Sequence, residues 1–353
     1  MKPFASLHTI KFLCAVCAFT WLASSGAQTQ TPLRVAVLDF GNSGTGARAA
    51  DAMRKLLPDK SILLIDQNLA AAAAQGNGYQ GSLNLSTQEA RDLGAAIGCD
   101  FFILGDARTV ARSPSSGARY FESYMAIFIV SARTGRLTLW DRPAERRDNE
   151  SDAEKALLEM LANDGTLHRY RSAIWRAAED EAAERTAAVE SPPAAIEVMS
   201  DDDNGKGDTR APRPYRRVKP PYPEAAALAE VEATVDVLVD IDARGEISHL
   251  EIGRWAGYGL DQAVLDTVKQ MHFFPAMRDT VAIPMRVLLR YNFQRKLPDA
   301  PTPKPLKLPG KKPQVTNEVR LTPRAGLVPI GKHVLPALLL NLAAFDEDVF
   351  DLG

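Results

Sequence analysis

The sequence predicts two folded units of different class. The first is an α/β domain near the N-terminus, its sheet covered by helices in two or three layers, and the second is a small α+β domain with an antiparallel sheet. Three observations predict this. From Leu33 onward short apolar runs alternate with amphipathic stretches, which is the strand–helix–strand order of an α/β unit. Apolar side chains take every odd position from Val231 to Ile241, the period of two expected of a strand with one buried face. The same parity returns from Val281 to Phe293, after a stretch of helical period.

Residues 1–27 come before either domain. Lys2 and Lys11 precede an apolar run, Phe12 to Ala23, and Ser24-Ser25-Gly26-Ala27 then supplies the small residues that signal peptidase reads. A run of about a dozen is short against the roughly twenty apolar residues of a membrane-spanning helix. A cleaved export signal is expected, with a short retained anchor as the alternative. Cys14 and Cys17 form a Cys-x-x-Cys inside that segment with no second pair, which does not support a metal or redox site.

The α/β domain is expected over residues 32–145. Leu33 to Phe40 reads as a strand, and Ala49, Ala50, Met53, Leu56 and Leu57 share one face of the helix after it. Ser61 to Asp66 is a second strand. Ser86-Thr87-Gln88-Glu89 is a capping box opening a helix to Ile97. Phe101 to Leu104 is an apolar strand, and Tyr120 to Val130 with Leu137 to Trp140 reads as a hairpin around Ala132-Arg133-Thr134-Gly135. Between the first strand and helix, Gly41-Asn42-Ser43-Gly44-Thr45-Gly46 could hold phosphate on its amides, which makes a nucleotide- or phosphate-binding enzyme domain at 33–57 a third functional reading. It lacks the Gly-Lys-Ser/Thr of a P-loop, and Asp39 would repel an anion. A plain tight turn is the simpler account.

Residues 150–190 read as long alanine-rich helix of mixed charge, a solvated or packed spacer. Residues 191–219, with Ser191-Pro192-Pro193, Asp201-Asp202-Asp203-Asn204-Gly205 and Arg210 to Pro221, are too polar and too rich in proline and glycine to fold alone.

In the C-terminal domain, residues 214–296, Pro220-Pro221-Tyr222-Pro223 leads into the Val231–Ile241 strand, where only Leu238 breaks the alternation. Asp242-Ala243-Arg244-Gly245 is a hairpin turn. Ile247, Leu250 and Ile252 start the return strand, and the parity slip between Ile247 and Leu250 predicts a bulge. Leu260, Val264, Thr267, Val268 and Met271 recur at helical spacing, to end before Pro275. Val281 to Phe293 reads as one thirteen-residue strand, and Pro284, which cannot donate to a ladder, places it at a sheet edge.

The order Tyr222-Pro223, long hairpin, Gly257-Tyr258-Gly259-Leu260-Asp261 helix and Phe273-Phe274-Pro275-Ala276 turn resembles the C-terminal domain of TonB-family energy transducers of Gram-negative bacteria. The chain departs from that family at Glu232-Ala233, where a glycine is common, and at Met271-His272, where a tryptophan is frequent. The resemblance implies an exported protein that binds an outer-membrane receptor or another envelope protein by β-strand addition in energy-coupled transmembrane transport. It places Ile283, Met285, Val287, Leu289 and Tyr291 along the docking edge and Tyr222 and Pro223 beside it. It also implies inner-membrane motor proteins as partners if the N-terminus is retained. Localisation would be the periplasm, or the inner membrane facing it. A soluble periplasmic adaptor without force transduction is the alternative. The N-terminal unit resembles, more distantly, periplasmic α/β domains of curli-secretion and TolB-type envelope proteins.

Net charge is −2, with 24% charged residues, so nothing draws the chain globally toward polyanions and nucleic acid is not expected. The five histidines share no metal-ligand spacing, and no Ser, Cys or carboxylate around them pairs as nucleophile and base. No catalytic residue, cofactor or small-molecule substrate is expected. Residues 297–353 form a Pro/Lys-rich linker and an apolar tail of helical length, Val334 to Phe345.

Overall fold

Strand β1 (Leu33–Val37) is followed by α1 (Gly44–Leu56), β2 (Ile62–Leu64), α2 (Gln67–Gly76), α3 (Thr87–Ile97) and the long hairpin β3 (Phe101–Arg112) and β4 (Tyr120–Ser131) in the computed structural model. The model describes residues 31–114, 117–192, 196–198, 209–294 and 339–341. Residues 1–27, expected to be an export signal, Asp201 to Gly205, and the tail apart from 339–341 lie outside the described residues. Next come β5 (Leu137–Asp141), β6 (Ala144–Arg147), α4 (Glu150–Leu161) and α5 (Asp164–Glu190). The six-stranded sheet runs β2-β1-β3-β4-β5, with β6 also on β4. β1 is parallel to β2 and β3, and the rest is antiparallel.

The local signals act where the residues place them. The Ser43 side chain accepts from the Gly46 amide and caps α1, and Ser86 and Glu89 close the capping box of α3. Gly98, at φ 75, ends α3 in the left-handed region. Asn163 accepts from the Gly165 amide and starts a new helix, so the expected 150–190 helix is two. Packing, not solvation, describes its first part. Ala153, Leu157, Leu161, Tyr170 and Ile174 are buried with α1 against Val35, Val37, Ile103, Met125 and Ile127 of the sheet.

The C-terminal half begins with β7 (Glu197–Val198), β8 (Thr209–Arg210), β9 (Arg213–Pro214) and the short α6 (Glu224–Leu228). β10 (Ala233–Ile241), β11 (Ile247–Arg254) and α7 (Leu260–Val268) follow. Then come β12 (Phe273–Phe274), β13 (Ala276–Arg278), β14 (Val281–Ile283), β15 (Met285–Phe293) and, from the tail, β16 (Leu339–Asn341). The main sheet has the order β11-β10-β15-β16, with β7 also on β15. The Asp242 carboxylate accepts from the Arg244 and Glu246 amides at 2.8 and 2.9 Å, and Gly245 takes φ 86. The bulge falls at Ser248, because Asp240 faces His249 while Ile241 faces Ile247.

Three sequence expectations need correction. Val281 to Phe293 is not one strand: β14 pairs with β13 in a small separate sheet and β15 with β10, and the break is Pro284. A residue without an amide ends one ladder and lets the chain change sheets while the side-chain parity stays the same. Leu339 to Asn341, inside the tail stretch of helical length, is strand. Thr209 to Pro214, placed in the linker read as unable to fold alone, is paired on β13 and β12. It folds by adding to an existing domain rather than alone.

The sheet face opposite α1 and α4 carries the feature that sequence periodicity does not reveal. Phe102, Leu104, Phe128 and Val130 of the α/β domain belong to the same buried cluster as Val235, Val237, Trp255, Tyr258, Leu260 and Val264. Trp255 is buried, donates from Nε1 to the Gly135 carbonyl at 3.0 Å and lies 5.7 Å from the Phe128 ring. Tyr258 packs on Trp140 at 5.0 Å. A Cβ on Gly257 would come within 2.6 Å of both Phe128 and Trp140, and its φ is 72. The Asn84 side chain donates to the Thr234 and Trp255 carbonyls and accepts from the Thr234 amide, and Ser86 bridges to Arg254. With one core spanning both units, Trp255→Ala is expected to lower unfolding free energy by about 4 kcal/mol. Denaturant titration read separately by probes in the α/β and C-terminal halves should give one coincident transition in the wild-type chain.

Candidate docking border of the C-terminal sheet

β15 has two borders of different character. Its inner border carries nine consecutive register pairs with β10, from Ala233↔Phe293 to Ile241↔Met285. Odd residues of the pair, Val235, Val237, Val239, Met285, Val287, Leu289 and Tyr291, point into the core and are buried. Even residues form a cross-strand polar ladder on the other face, with the inserted pair Leu238↔Leu288. Thr234 and Asn292 are hydrogen-bonded at 2.9 Å. Arg290 donates to both Asp236 oxygens at 2.7 and 2.8 Å, and Arg286 to both Asp240 oxygens at 2.5 and 2.7 Å. The face expected to be wet is therefore closed over its carboxylates, since Asp236 and Asp240 are only 5% and 3% exposed. Hydrogen bonding to Asp240 and Asp236 raises the two arginines above their usual pKa, as bidentate pairing in a partly dry setting requires.

Strands lie along part of the outer border of β15. β7 pairs parallel with it at Met285 and Arg286, and β16 pairs parallel at Leu288, Leu289 and Arg290. The opposite border of the sheet, β11, meets the α/β domain at its end, where Arg254 bridges Ser86, and at Glu251, which lies 3.5 Å from Arg136. Beside it a cavity of about 440 Å³ is lined by Leu137, Leu250, Ile252, Trp255 and Leu265, with Asp261 at its wall.

The residues proposed from sequence as partner contacts are distributed unevenly over this geometry. Met285, Val287, Leu289 and Tyr291 lie on the expected strand, but their side chains are core, and β7 and β16 meet the backbone of β15. Ile283 belongs to β14, beyond Pro284. Tyr222 and Pro223 lie near the far end: the Tyr222 hydroxyl donates to the Val231 carbonyl at 2.6 Å and its ring is 6.1 Å from Phe293. Pro223 starts α6. Sequence reasoning did not single out Trp255, Asn84 or the Asp–Arg ladder. Asp and Arg at matching parity in 236, 240, 286 and 290 were the available signal for the last.

The Gly257–Asp261 motif acts as a clamp. Asp261 accepts from the Ala256 and Gly257 amides, each at 2.8 Å. Burial pushes its carboxyl up to about 6, with the two amides opposing the rise.

Residues 218–294 match the family model for Gram-negative bacterial TonB protein C-terminal. The match covers the TonB-like domain and leaves the α/β domain outside it. Among solved structures, the chain is similar to the TonB C-terminal domain of Pseudomonas aeruginosa, with 19% identity, TM-score 0.22, and 30% of this chain and 99% of that one covered. It is similar to the hypothetical protein CT253 from Chlamydia trachomatis, with 12% identity, TM-score 0.29, and 41% and 98% covered. It is also similar to the LpoB C-terminal domain from Salmonella enterica, with 15% identity, TM-score 0.24, and 34% and 87% covered. A search of curated proteins gave no match.

The glycine turn of the α/β domain has a packing account. The Ser43 hydroxyl bonds the Ala107 carbonyl and the Gly46 amide, and a Cβ on Gly41 would sit 2.5 Å from an Asp106 oxygen. The adjacent cavity of about 770 Å³ has Asp39 and Asp106 in its wall beside Arg54 and Arg108, and each arginine is already paired, with Asp39 and Asp106 respectively. Among the described residues no group of three or more His, Cys, Asp or Glu side chains is placed to hold a metal, and no helix is long and apolar enough to cross a membrane.

Two outcomes follow from the domain's own electrostatics. Asp240→Ala leaves Arg286 without its bidentate acceptor and is expected to cost roughly 2 kcal/mol in denaturant unfolding. Asp261 is raised in the folded state, so its contribution is fully present below the unfolded carboxyl pKa and lost as pH rises through about 6. The stability of wild type relative to Asp261→Asn should therefore fall by up to about 3 kcal/mol between pH 4 and 6, measured by chemical denaturation across that range.

Proposed function

We propose that this chain is an exported envelope protein whose TonB-like domain binds outer-membrane or other envelope proteins by β-strand addition along the outer border of β15. One observation carries the reading. The strand that takes added strands, as β7 and β16 demonstrate on Met285–Arg290, is the last strand of the segment that matches the TonB C-terminal family. Main-chain ladders give such a contact affinity without needing exposed side chains, which fits a border whose odd side chains are buried in the core.

Energy-coupled transport and a force-free periplasmic adaptor are two forms of this reading. The joint at Trp255 and Tyr258 favours the adaptor: the TonB-like domain shares its core with the α/β domain, so a partner captured on β15 is held by a two-domain body. Transport would add force delivered from the inner membrane through residues before Leu33.

The experiment is site-specific photo-cross-linking in the cell envelope, with the cross-linker at Leu288 on β15 or at Leu250 on β11. Adducts with an outer-membrane protein from Leu288 and not from Leu250 are expected; adducts from Leu250 alone would move docking to the other border and overturn the assignment. For the choice between adaptor and transducer, N-terminal sequencing of the protein isolated from the periplasmic extract is expected to start at Gln28. A chain that keeps its first residues in the membrane fraction would favour the transducer.

A further inference from the structure

Two side chains at the end of β5 bury hydrogen-bond donors that nothing in the fold accepts. Among the described residues, Trp140 Nε1 and Arg142 Nε and Nη2 are buried and have no partner, and the Arg142 side chain is only 10% exposed. A buried donor left unpaired is costly, and a guanidinium more so than an indole, so a native fold keeps such a group where an ion or a water meets it. We infer that Arg142 and Trp140 form a binding site for a small oxyanion, a phosphate or carboxylate group, at the joint between the two domains.

Charge favours an anion over water. Arg112, Arg142 and Arg146 all face one carboxylate, that of Glu122, whose side chain is itself only 8% exposed. Arg112 takes Oε2, with Nε and Nη2 each at 3.0 Å. Arg142 and Arg146 stand 3.9 and 3.8 Å from Oε1, beyond hydrogen-bond reach. Three guanidiniums on one carboxylate leave two positive charges in excess. The neighbouring acids are committed elsewhere, Asp106 to Arg108, Asp141 to Arg169 and Glu145 to Arg147. Water would satisfy the donors but leave that excess charge without a counterpart, which is the costly state for a buried cation.

The unpaired edge of Arg142 specifies the shape of the ligand. Nε and Nη2 form the side-on fork of a guanidinium, the edge through which Arg286 holds Asp240 and Arg290 holds Asp236 in this same chain. Its guanidinium carbon lies 4.3 Å from the centre of the Tyr124 ring, and stacking of this kind holds the fork in one plane. A fork so placed takes two oxygens of one carboxylate or phosphate. Trp140, two residues earlier, packs on Tyr258 at 5.0 Å and supplies a further N–H. The charges of Arg142, Asp106 and Arg108 all act on the Tyr258 hydroxyl, whose pKa is raised chiefly by burial. Tyr258 belongs to the TonB-like domain, so an occupant beside it meets both halves of the chain and tightens the joint.

The test follows the indole N–H signals of the full chain by heteronuclear NMR, with inorganic phosphate or acetate added at constant ionic strength against chloride. The Trp140 signal is the one lost in Trp140→Phe, and the Trp255 signal, fixed by its bond to the Gly135 carbonyl, reports an intact fold. A saturable shift of the Trp140 signal is expected with at least one of the two anions. A response to phosphate alone, to acetate alone or to both assigns the site to phosphate groups, to carboxylates or to either. Arg142→Lys keeps the charge and loses the fork, so it should bind the effective anion about tenfold more weakly while the Trp255 signal stays in place. The thermal midpoint should rise with that anion in wild type and not in Arg142→Lys. If neither anion moves Trp140 more than chloride does, water meets the donors and the site is overturned; equal affinity in wild type and Arg142→Lys overturns it as well. Neither result bears on strand addition at β15.

Discussion

The nine-pair ladder between β10 and β15 is the constraint on which the rest of the C-terminal half depends. It holds β15 from its inner side and lines up the odd side chains of both strands in the core. The ladder is stabilised on both faces by different means. Val235, Val237 and Val239 meet Tyr291, Leu289 and Val287 in the core, where each buried aliphatic side chain contributes about 1.5–3 kcal/mol. On the other face the Asp236–Arg290 and Asp240–Arg286 forks fix register, because a slip of one residue would carry four charges into the core and the aliphatic row into solvent. A buried pair of this kind is weak evidence for added stability but a strong specifier of alignment.

The second constraint is the joint with the α/β domain. Trp255, Tyr258 and Gly257 stand in the segment that links β11 to α7, and their partners Phe128, Gly135 and Trp140 lie more than a hundred residues earlier. The Asp261 clamp on the Ala256 and Gly257 amides holds that segment in the shape that fits the sheet, at the cost of a carboxylate kept in a dry site. Through β10 and β11, β15 is thus joined to a sheet of the first domain rather than to a free linker.

How far this was legible in the sequence follows from the range of each interaction. The alternation of 231–241, the Asp242–Gly245 turn, the Ser248 bulge and the Ser86–Glu89 capping box are local, set by residues within a few positions of one another, and they stand where the pattern places them. The parity of 281–293 was equally clear, yet parity reports which face a side chain takes and not which sheet its backbone joins, so the transfer at Pro284 did not show. The domain joint was invisible for a related reason: Trp255 and Tyr258 have no period, and only the fold brings them to Phe128 and Trp140. For the docking border, the strand was readable but its exposed element was not. The side chains of Met285, Val287, Leu289 and Tyr291 build the core, and the backbone beside them, which every residue carries alike, is what pairs with β7 and β16.

Pro284 then has a role beyond ending β14. A ladder along a uniform backbone has little to set where a guest begins, because each two-residue shift restores the same pattern. At Pro284 the chain offers no amide, and just before it β14 turns away to pair with β13, so pairing on the outer border starts at Met285. β7 starts there, with Glu197 opposite Met285. At the other end, the Tyr222 hydroxyl donates to the Val231 carbonyl on the β10 side, and its ring lies 6.1 Å from Phe293. A missing donor thus sets where pairing on the outer border begins, and the backbone from Met285 to Arg290, rather than any side-chain pocket, is what β7 and β16 use.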